Sequence, residues 1–232
     1  MSLDIKKTNE QKPTKLNALI YGHSGFGKTT LASTLSKQNA IVISAEAGLL
    51  SLKKHNIDYV EINPDSKVSS LRTILSDVAK SGYDTVFIDS LTEISQAFLD
   101  LAKTEFPDSR NTMQRFGYYN ELMIRFLKYT RDFDKNIIYT ALQKDDKDDV
   151  GRQTHVPSLI GSIRETCPAL FDFVFALRIF EKEDEKIRVL QTDSGDGYIC
   201  KDRSGELAQF EKPDLGLIIN KVFESTNTKE KK

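Results

Sequence analysis

A glycine-rich segment at residues 22–29 constrains the fold of this chain more than any other part of it. Its sequence, Gly-His-Ser-Gly-Phe-Gly-Lys-Thr, matches the pattern G-x-x-x-x-G-K-[ST]. The apolar residues 16–21 before it are typical of a buried strand, and residues 28–37 are typical of a helix. In this strand–loop–helix order the pattern forms a P-loop, which cradles the phosphates of a nucleoside triphosphate.

The residue types in the loop explain this prediction. Glycines let backbone N–H groups turn inward around a phosphate, and the positive end of the following helix faces the same anion. Lys28 would reach the β- and γ-phosphates, while Thr29 would supply a hydroxyl to Mg²⁺. We therefore predict ATP (or GTP) and Mg²⁺ as ligands, and the alternative is a glycine-rich turn without a ligand. The predicted nucleotide contacts are Gly22, His23, Ser24, Gly25, Phe26, Gly27, Lys28, Thr29 and Thr30.

A second metal contact is predicted at the end of another strand. Residues 85–89, Thr-Val-Phe-Ile-Asp, are typical of a buried strand that ends in a carboxylate. Asp89 would hold Mg²⁺ through the metal's water shell, as a Walker-B aspartate does. The alternative role for Asp89 is to cap a helix that begins at Leu91.

Buried strands alternate with amphipathic helices along the first part of the chain. This order is typical of parallel crossover units, so we predict an α/β fold with a mostly parallel sheet flanked by helices. The predicted strands are residues 16–21, 40–44, 59–62, 85–89 and 136–142, and the predicted helices are residues 28–37, 68–80, 91–103 and 113–133.

The pattern changes after residue 143. Residues 144–161 are polar and are predicted to form a long loop, and residues 163–170 a short helix. A C-terminal antiparallel extension and a closing helix are predicted next; the strands are residues 171–180, 187–192 and 198–201, and the helix is residues 214–223. We thus expect a single domain at 16–223, with a flexible polar tail at 1–15 and a charged tail at 224–232.

Composition excludes some classes of protein. The net charge is −1 over 232 residues, so nucleic-acid binding would require a local patch or an assembly of subunits. We expect Cys167 and Cys200 to be free thiols because they lack metal-site spacing. No apolar run is long enough for a membrane helix, and the N-terminus does not resemble a signal peptide. A cytoplasmic location is therefore the expectation.

Three further segments resemble the RecA-like ATPases. Residues 41–47 resemble the second strand of that family, residues 88–92 its Walker-B segment, and residues 137–143 its sensor strand. The resemblance implies that Glu46 polarises the attacking water and that Gln143 reads the γ-phosphate. A carboxylate at that place can accept a water proton. The alternatives are a surface glutamate at a helix start for Glu46 and an ordinary polar strand end for Gln143.

The Lys-Asp-Arg sequence at residues 201–203 resembles the Lys-x-Arg pair of RecA-like hexameric helicases and KaiC-like ATPases. In those proteins the pair reaches the γ-phosphate of a neighbouring subunit. Residues two apart in a strand face the same side, so Lys201 and Arg203 can point together. The resemblance implies a homo-oligomer, as a ring or a filament, and the alternative is a charged surface turn.

From Leu16 to Phe223, the layout resembles phage-encoded RecA-like proteins of recombination modules. This implies action on single-stranded DNA, in annealing or strand exchange, beside a single-stranded-DNA-binding protein and in the host cytoplasm. By position in the family, the candidate DNA contacts are Lys103, Arg110, Arg115 and Arg152. The loop that contains Arg152 is net negative, which disfavours phosphate binding.

Two other functions fit a P-loop. A small-molecule kinase would need an arginine-rich lid, for which the sequence has no match. A nucleotide-gated binding or loader module would bind ATP and DNA with little turnover. The effect of DNA on ATP hydrolysis distinguishes these functions from a DNA-dependent ATPase.

Overall fold

The computed structural model describes residues 14–46, 48–182 and 185–228. In this part of the chain, ten strands form one sheet, and helices cover it. The strands are β1 (Asn17–Gly22), β2 (Ala40–Ser44), β3 (Asp58–Glu61), β4 (Thr85–Asp89), β5 (Asn136–Lys147), β6 (Gln153–Pro157), β7 (Phe173–Lys182), β8 (Glu185–Gln191), β9 (Lys201–Asp202) and β10 (Phe210–Glu211). The α-helices are α1 (Lys67–Lys80), α2 (Leu91–Glu105), α3 (Thr112–Arg131), α4 (Ile163–Thr166) and α5 (Leu215–Thr228).

The strand order is β10-β8-β7-β1-β5-β4-β2-β3, with β6 beside β5 and β9 beside β7. The six strands from β7 to β3 in this order are parallel to their neighbours. β6, β8, β9 and β10 pair antiparallel and belong to the later part of the chain. The predicted fold class, a mostly parallel sheet with antiparallel strands towards the C-terminus, is confirmed.

Both faces of the sheet are covered. Successive residues of its central strands point to opposite sides, and each side packs against helices. In β1, Leu19 and Tyr21 pack in a core with residues of α1, α2 and α3. Ala18 and Ile20 pack on the other side, against α5 and the helix after the P-loop. Such burial on two sides explains the continuous apolar runs of the sequence. No helix in the described ranges has the length and apolar character needed to cross a membrane.

The helix after the P-loop is shorter and tighter than predicted. A 3₁₀ helix spans Thr29–Leu35, where the sequence suggested a helix over residues 28–37. The hydroxyl of Ser33 donates to the carbonyl oxygen of Thr30, and that of Thr34 donates to the carbonyl oxygen of Leu31, both at 2.7 Å. Hydroxyl groups that bond to the preceding turn compete with regular α-helical hydrogen bonds, which explains the difference.

The prediction of a long loop at residues 144–161 is wrong. β5 continues to Lys147 and pairs with β6, so the segment is a hairpin. At its turn, a carboxylate oxygen of Asp148 accepts hydrogen bonds from the backbone N–H groups of Val150 (3.0 Å) and Arg152 (2.8 Å). Gly151 takes the left-handed conformation there, with φ of 81°. An aspartate and a glycine therefore close the turn between the two strands.

Other predicted boundaries also differ. The segment predicted at residues 171–180 is β7, which pairs in parallel with β1 and so belongs to the main sheet. β10 was not predicted, and of the strand predicted at 198–201 only Lys201 lies in a strand, which is β9. The closing helix continues to Thr228, within the predicted charged tail at 224–232. Residues 1–13 of the predicted tail at 1–15, and residues 229–232, lie outside the described residues.

Candidate nucleotide-binding site

The carboxyl ends of the parallel strands place the predicted site residues at one edge of the sheet. β1 ends at Gly22, β2 at Ser44 and β4 at Asp89. β5 lies between β1 and β4, and its register places Leu142 beside Gly22. Ligands of open α/β sheets bind at this edge, where the loops after the strands converge.

Glycine is required at several positions of the loop. A Cβ atom on Gly22 would lie 2.8 Å from the carbonyl oxygen of Leu177 in β7, which is too close for any side chain. Gly25 and Gly27 have φ angles of +77° and +100°, a region that favours glycine. The loop conformation therefore depends on the three glycines of the motif.

The ammonium group of Lys28 is buried inside the loop. Its Nζ atom donates hydrogen bonds to the carbonyl oxygens of Gly22 (2.8 Å) and His23 (2.9 Å). Burial lowers the pKa of Lys28 below its ordinary value, whereas the negative charges of Asp89 and Glu46 act to raise it. A desolvated cation inside the loop is well placed to interact with a polyphosphate.

Thr29 and Asp89 meet at the metal position predicted from the sequence. The Thr29 hydroxyl donates to Oδ2 of Asp89 at 2.6 Å, and the Thr140 hydroxyl donates to Oδ1. Asp89 is buried, and each of its carboxylate oxygens accepts a hydrogen bond from a hydroxyl group. An ionised carboxylate beside a hydroxyl is a donor set that Mg²⁺ prefers, so these residues fit the metal. Thr140 was not predicted, although a polar residue inside an apolar strand was visible in the sequence.

Glu46 lies at the same edge, after β2. The Ser90 hydroxyl donates to Oε1 of Glu46 at 2.6 Å, and the Ser44 hydroxyl donates to its backbone carbonyl oxygen. The N–H of Ala45 donates to the carbonyl oxygen of Asp89 at 2.6 Å, which ties the end of β2 to the end of β4. The Glu46 side chain is otherwise exposed, so a carboxylate oriented by Ser90 faces solvent beside the loop.

Gln143 is in contact with the P-loop. Its Nε2 atom lies 3.0 Å from Nε2 of His23 and 3.2 Å from Nδ1 of His155, and it donates to Oδ1 of Asp145 at 2.7 Å. Asp145 also pairs with His155 at 2.7 Å and with His23 at 3.4 Å. Asp145 and His155 were not predicted at this site because the hairpin that brings them together was not predicted.

Lys201 and Arg203 lie at the amino end of β7. Lys201 donates to the carbonyl oxygen of Phe171 at 2.6 Å, and Arg203 pairs with Asp172 at 2.5 Å. Burial lowers the pKa of Lys201, and the positive charge of Arg203 lowers it further. β9 pairs with the first residues of β7, which align with the start of β1. The pair is thus about 13 Å along the strands from the P-loop of its own chain.

Each cation predicted to contact DNA has a partner within the chain. Arg110 and Arg152 are nevertheless largely exposed, with side-chain exposures of 88% and 79%. Exposed pairs of this kind contribute little to stability, so the arginines can exchange partners at small cost. The pairs are Lys103 with Asp100 (2.8 Å), Arg110 with Asp108 (2.7 Å), Arg152 with Asp148 (3.1 Å), and Arg115 with the carbonyl oxygen of Phe106 (2.8 Å).

The loop, the buried Lys28 and the Thr29–Asp89 contact together define a P-loop ATPase fold. A family model described as an AAA domain matches residues 14–204. The match covers most of the chain, which therefore belongs to the AAA domain family.

The chain is also similar to proteins of known structure. Among solved structures, the chain is similar to the KaiC-like protein PH0186 from the hyperthermophilic archaeon Pyrococcus horikoshii OT3, with a TM-score of 0.46 and 15% sequence identity. That match covers 77% of this chain and 78% of the archaeal chain. No match was found among proteins of curated function.

Proposed function

We propose that this protein is a Mg²⁺-dependent ATPase of RecA-like type. The observation that carries the proposal is the hydrogen bond between Thr29 and Asp89 beside the buried ammonium group of Lys28. These three groups are what a P-loop needs to bind the β- and γ-phosphates together with a metal. Bound Mg²⁺ neutralises charge on the phosphates, and Thr29 and Asp89 are the residues that would hold it.

Glu46 is proposed to orient the attacking water and accept its proton. The hydroxyl of Ser90 bonds to one carboxylate oxygen, which fixes the side chain and leaves the other oxygen for water. Lys28 stabilises negative charge on the phosphates during the transfer. The chain thus supplies groups for binding, for the metal and for activation of water.

The first experiment measures phosphate release from ATP by the purified full-length protein. Lys28→Ala is expected to lower the rate by about 100-fold or more, because it removes the cation at the phosphates. Lys37→Ala is a matched control, since Lys37 is exposed and lies two residues after the end of the helix that follows the P-loop. Normal turnover by Lys28→Ala would reject the site. Consumption of ATP only with a nucleoside acceptor would indicate a kinase instead.

We further propose that single-stranded DNA stimulates the ATPase, in phage homologous recombination or single-strand annealing. This part rests on the resemblance of the sequence to phage RecA-like proteins. It is supported by the contact of Gln143 with His23, because the same strand continues into the exposed β5–β6 hairpin. A change at the phosphates therefore has a direct route to a surface loop.

The charge of the hairpin bears on this proposal. Asp146 pairs with Lys144 (3.0 Å) and Arg164 (3.3 Å), and Asp148 pairs with Arg152. The acidic run is therefore partly neutralised within the chain.

Single-stranded DNA is expected to raise the ATPase rate of the wild type, and Arg110→Ala with Arg152→Ala is expected to weaken this effect. Lys53→Ala with Lys54→Ala is a control at exposed positions that removes the same number of positive charges. A rate that no nucleic acid changes would reject the DNA proposal while leaving the ATPase intact.

Assembly is also proposed, with Lys201 and Arg203 acting on the nucleotide of a neighbouring subunit. Their distance from the P-loop of their own chain supports this arrangement. Mixtures of Arg203→Ala and Lys28→Ala subunits are expected to regain part of the activity that each lacks. Failure to regain activity at every ratio would reject the role between subunits.

A further inference from the structure

Arg188 contacts the P-loop from a strand that the proposed function does not use. Its Nε atom donates to the carbonyl oxygen of Phe26 at 3.1 Å. The antiparallel pairing of β8 with β7 explains the contact, because Arg188 is opposite Ile179. β7 passes so close to the start of the P-loop that Leu177 contacts Gly22. The pairing of these strands therefore brings a guanidinium group to the loop.

The hydrogen bond acts on the peptide group between Phe26 and Gly27. This peptide is trans, and the carbonyl and N–H groups of a trans peptide point in opposite directions. A carbonyl that points to Arg188 therefore turns the Gly27 N–H to the other side of the loop. Inward N–H groups are what a P-loop presents to phosphate.

Arg188 also brings a positive charge to the loop. Over the described ranges, no carboxylate is within ion-pair distance of its guanidinium group, and the side chain is exposed. A Cβ atom built on Gly27 would lie 3.8 Å from its Nε atom, so the guanidinium group covers this part of the loop. The charge is thus available to a polyanion that the loop binds.

We infer that Arg188 is a positioning residue of the nucleotide site, which holds the Phe26–Gly27 peptide and adds positive charge beside the loop. The inference rests on the proposed nucleotide site and deepens it. Because P-loop amides cradle the α- and β-phosphates, Arg188 affects the diphosphate part that ADP and ATP share. It acts within one chain, unlike the proposed role of Lys201 and Arg203.

The test is equilibrium binding of ADP and of a non-hydrolysable ATP analogue to the full-length protein. Arg188→Ala is expected to weaken both affinities by a similar factor, about tenfold, which is typical for loss of a hydrogen bond from a charged group. Arg188→Lys, which keeps a donor and the charge, is expected to recover most of the affinity. Arg188→Gln, which keeps only a donor, is expected to recover less. Turnover at saturating ATP should stay within about twofold of the wild type, because the contact is present before the reaction.

Lys186→Ala is the matched control for this experiment. Lys186 is two residues away on the same face of β8, and it pairs with Glu181 at 3.6 Å. Its affinities for both nucleotides should equal those of the wild type. Thermal unfolding without nucleotide checks that each variant folds, and if Arg188→Ala does not fold, the Lys and Gln variants carry the comparison.

The outcomes separate the inference from the proposed function. Nucleotide binding that Lys28→Ala abolishes but Arg188→Ala leaves unchanged rejects only the role of Arg188. A large fall in turnover with unchanged ADP affinity also overturns it, since Arg188 would then act in the transition state. Equal affinities of Arg188→Lys and Arg188→Ala reject the contribution of the charge. Absence of nucleotide binding by the wild type rejects the nucleotide site together with the inference.

Discussion

Nε2 of Gln143 lies 3.0 Å from Nε2 of His23, so the end of β5 and the P-loop are in direct contact. Asp145 and His155 complete this polar cluster, and both belong to the β5–β6 hairpin. We therefore expect a change in the loop on nucleotide binding to reach these side chains first.

The ionisation of Asp145 reports on this cluster. Hydrogen bonds from Gln143 and His155 hold the pKa of Asp145 below its ordinary value. A lowered pKa stabilises the folded state above the pKa of the unfolded chain, and this contribution is lost as pH falls through the folded value. His155→Phe keeps a ring against Tyr198 but removes the hydrogen bond, so the pKa of Asp145 should rise towards the ordinary value. A carboxyl titration by NMR that gives the same pKa in both proteins would contradict the described cluster.

Asp89→Asn tests the metal contact. The variant keeps the size of the side chain but loses the charge that would hold Mg²⁺, so turnover should fall by about 100-fold or more. Binding of ADP without Mg²⁺ should change little, because Lys28 and the loop amides are intact. Rates measured over a series of Mg²⁺ concentrations check this. A variant with wild-type dependence on Mg²⁺ would show that Asp89 has no role in the metal site.

Glu46→Gln tests the proposed base. Loss of a general base typically lowers turnover by about 10²- to 10⁴-fold, and ATP affinity should be preserved because Glu46 lies outside the predicted phosphate-binding loop. Single-turnover hydrolysis and equilibrium binding, measured on the same samples, separate the two effects. If DNA binding and its dependence on ATP survive in a variant that does not hydrolyse ATP, the protein is a nucleotide-gated module rather than a DNA-dependent ATPase.

Ser90 orients Glu46 and also caps α2, where its side chain accepts from the N–H of Glu93 at 3.4 Å. Ser90→Ala should lower turnover by about two- to tenfold through loss of one hydrogen bond. It should also lower the free energy of unfolding by about 1 kcal/mol through loss of the cap. Ser90→Thr keeps the hydroxyl group and is the control for both measurements. An alanine variant with full activity and stability would contradict both roles.

Both cysteines should react slowly in the folded protein. Burial raises the pKa of the Cys167 and Cys200 thiols to about 12, so little thiolate is present at neutral pH. A thiol-reactive dye should label them only after denaturation. Rapid labelling of the native protein would contradict the buried positions in the structure.

The local patterns of the sequence predicted the P-loop, the strand that ends at Asp89 and the parallel sheet. They did so because strand, turn and glycine preferences are properties of neighbouring residues. The hairpin after Gln143 was missed because both of its strands are polar, which removes the alternation of apolar residues that marks a strand. Arg188 was missed for a different reason: its contact with Phe26 joins residues 162 positions apart, and only the pairing of β7 with β8 brings them together.

The central claim is that the loop and Asp89 form a site where Mg²⁺ and ATP are used for hydrolysis by water. The most direct measurement is steady-state phosphate release by the wild type, with Mg²⁺ or with EDTA, and with or without single-stranded DNA. We expect release that requires Mg²⁺ and that DNA increases, with one phosphate formed for each ADP. ADP formation without phosphate release, or no ATP consumption under any of these conditions, would contradict the account.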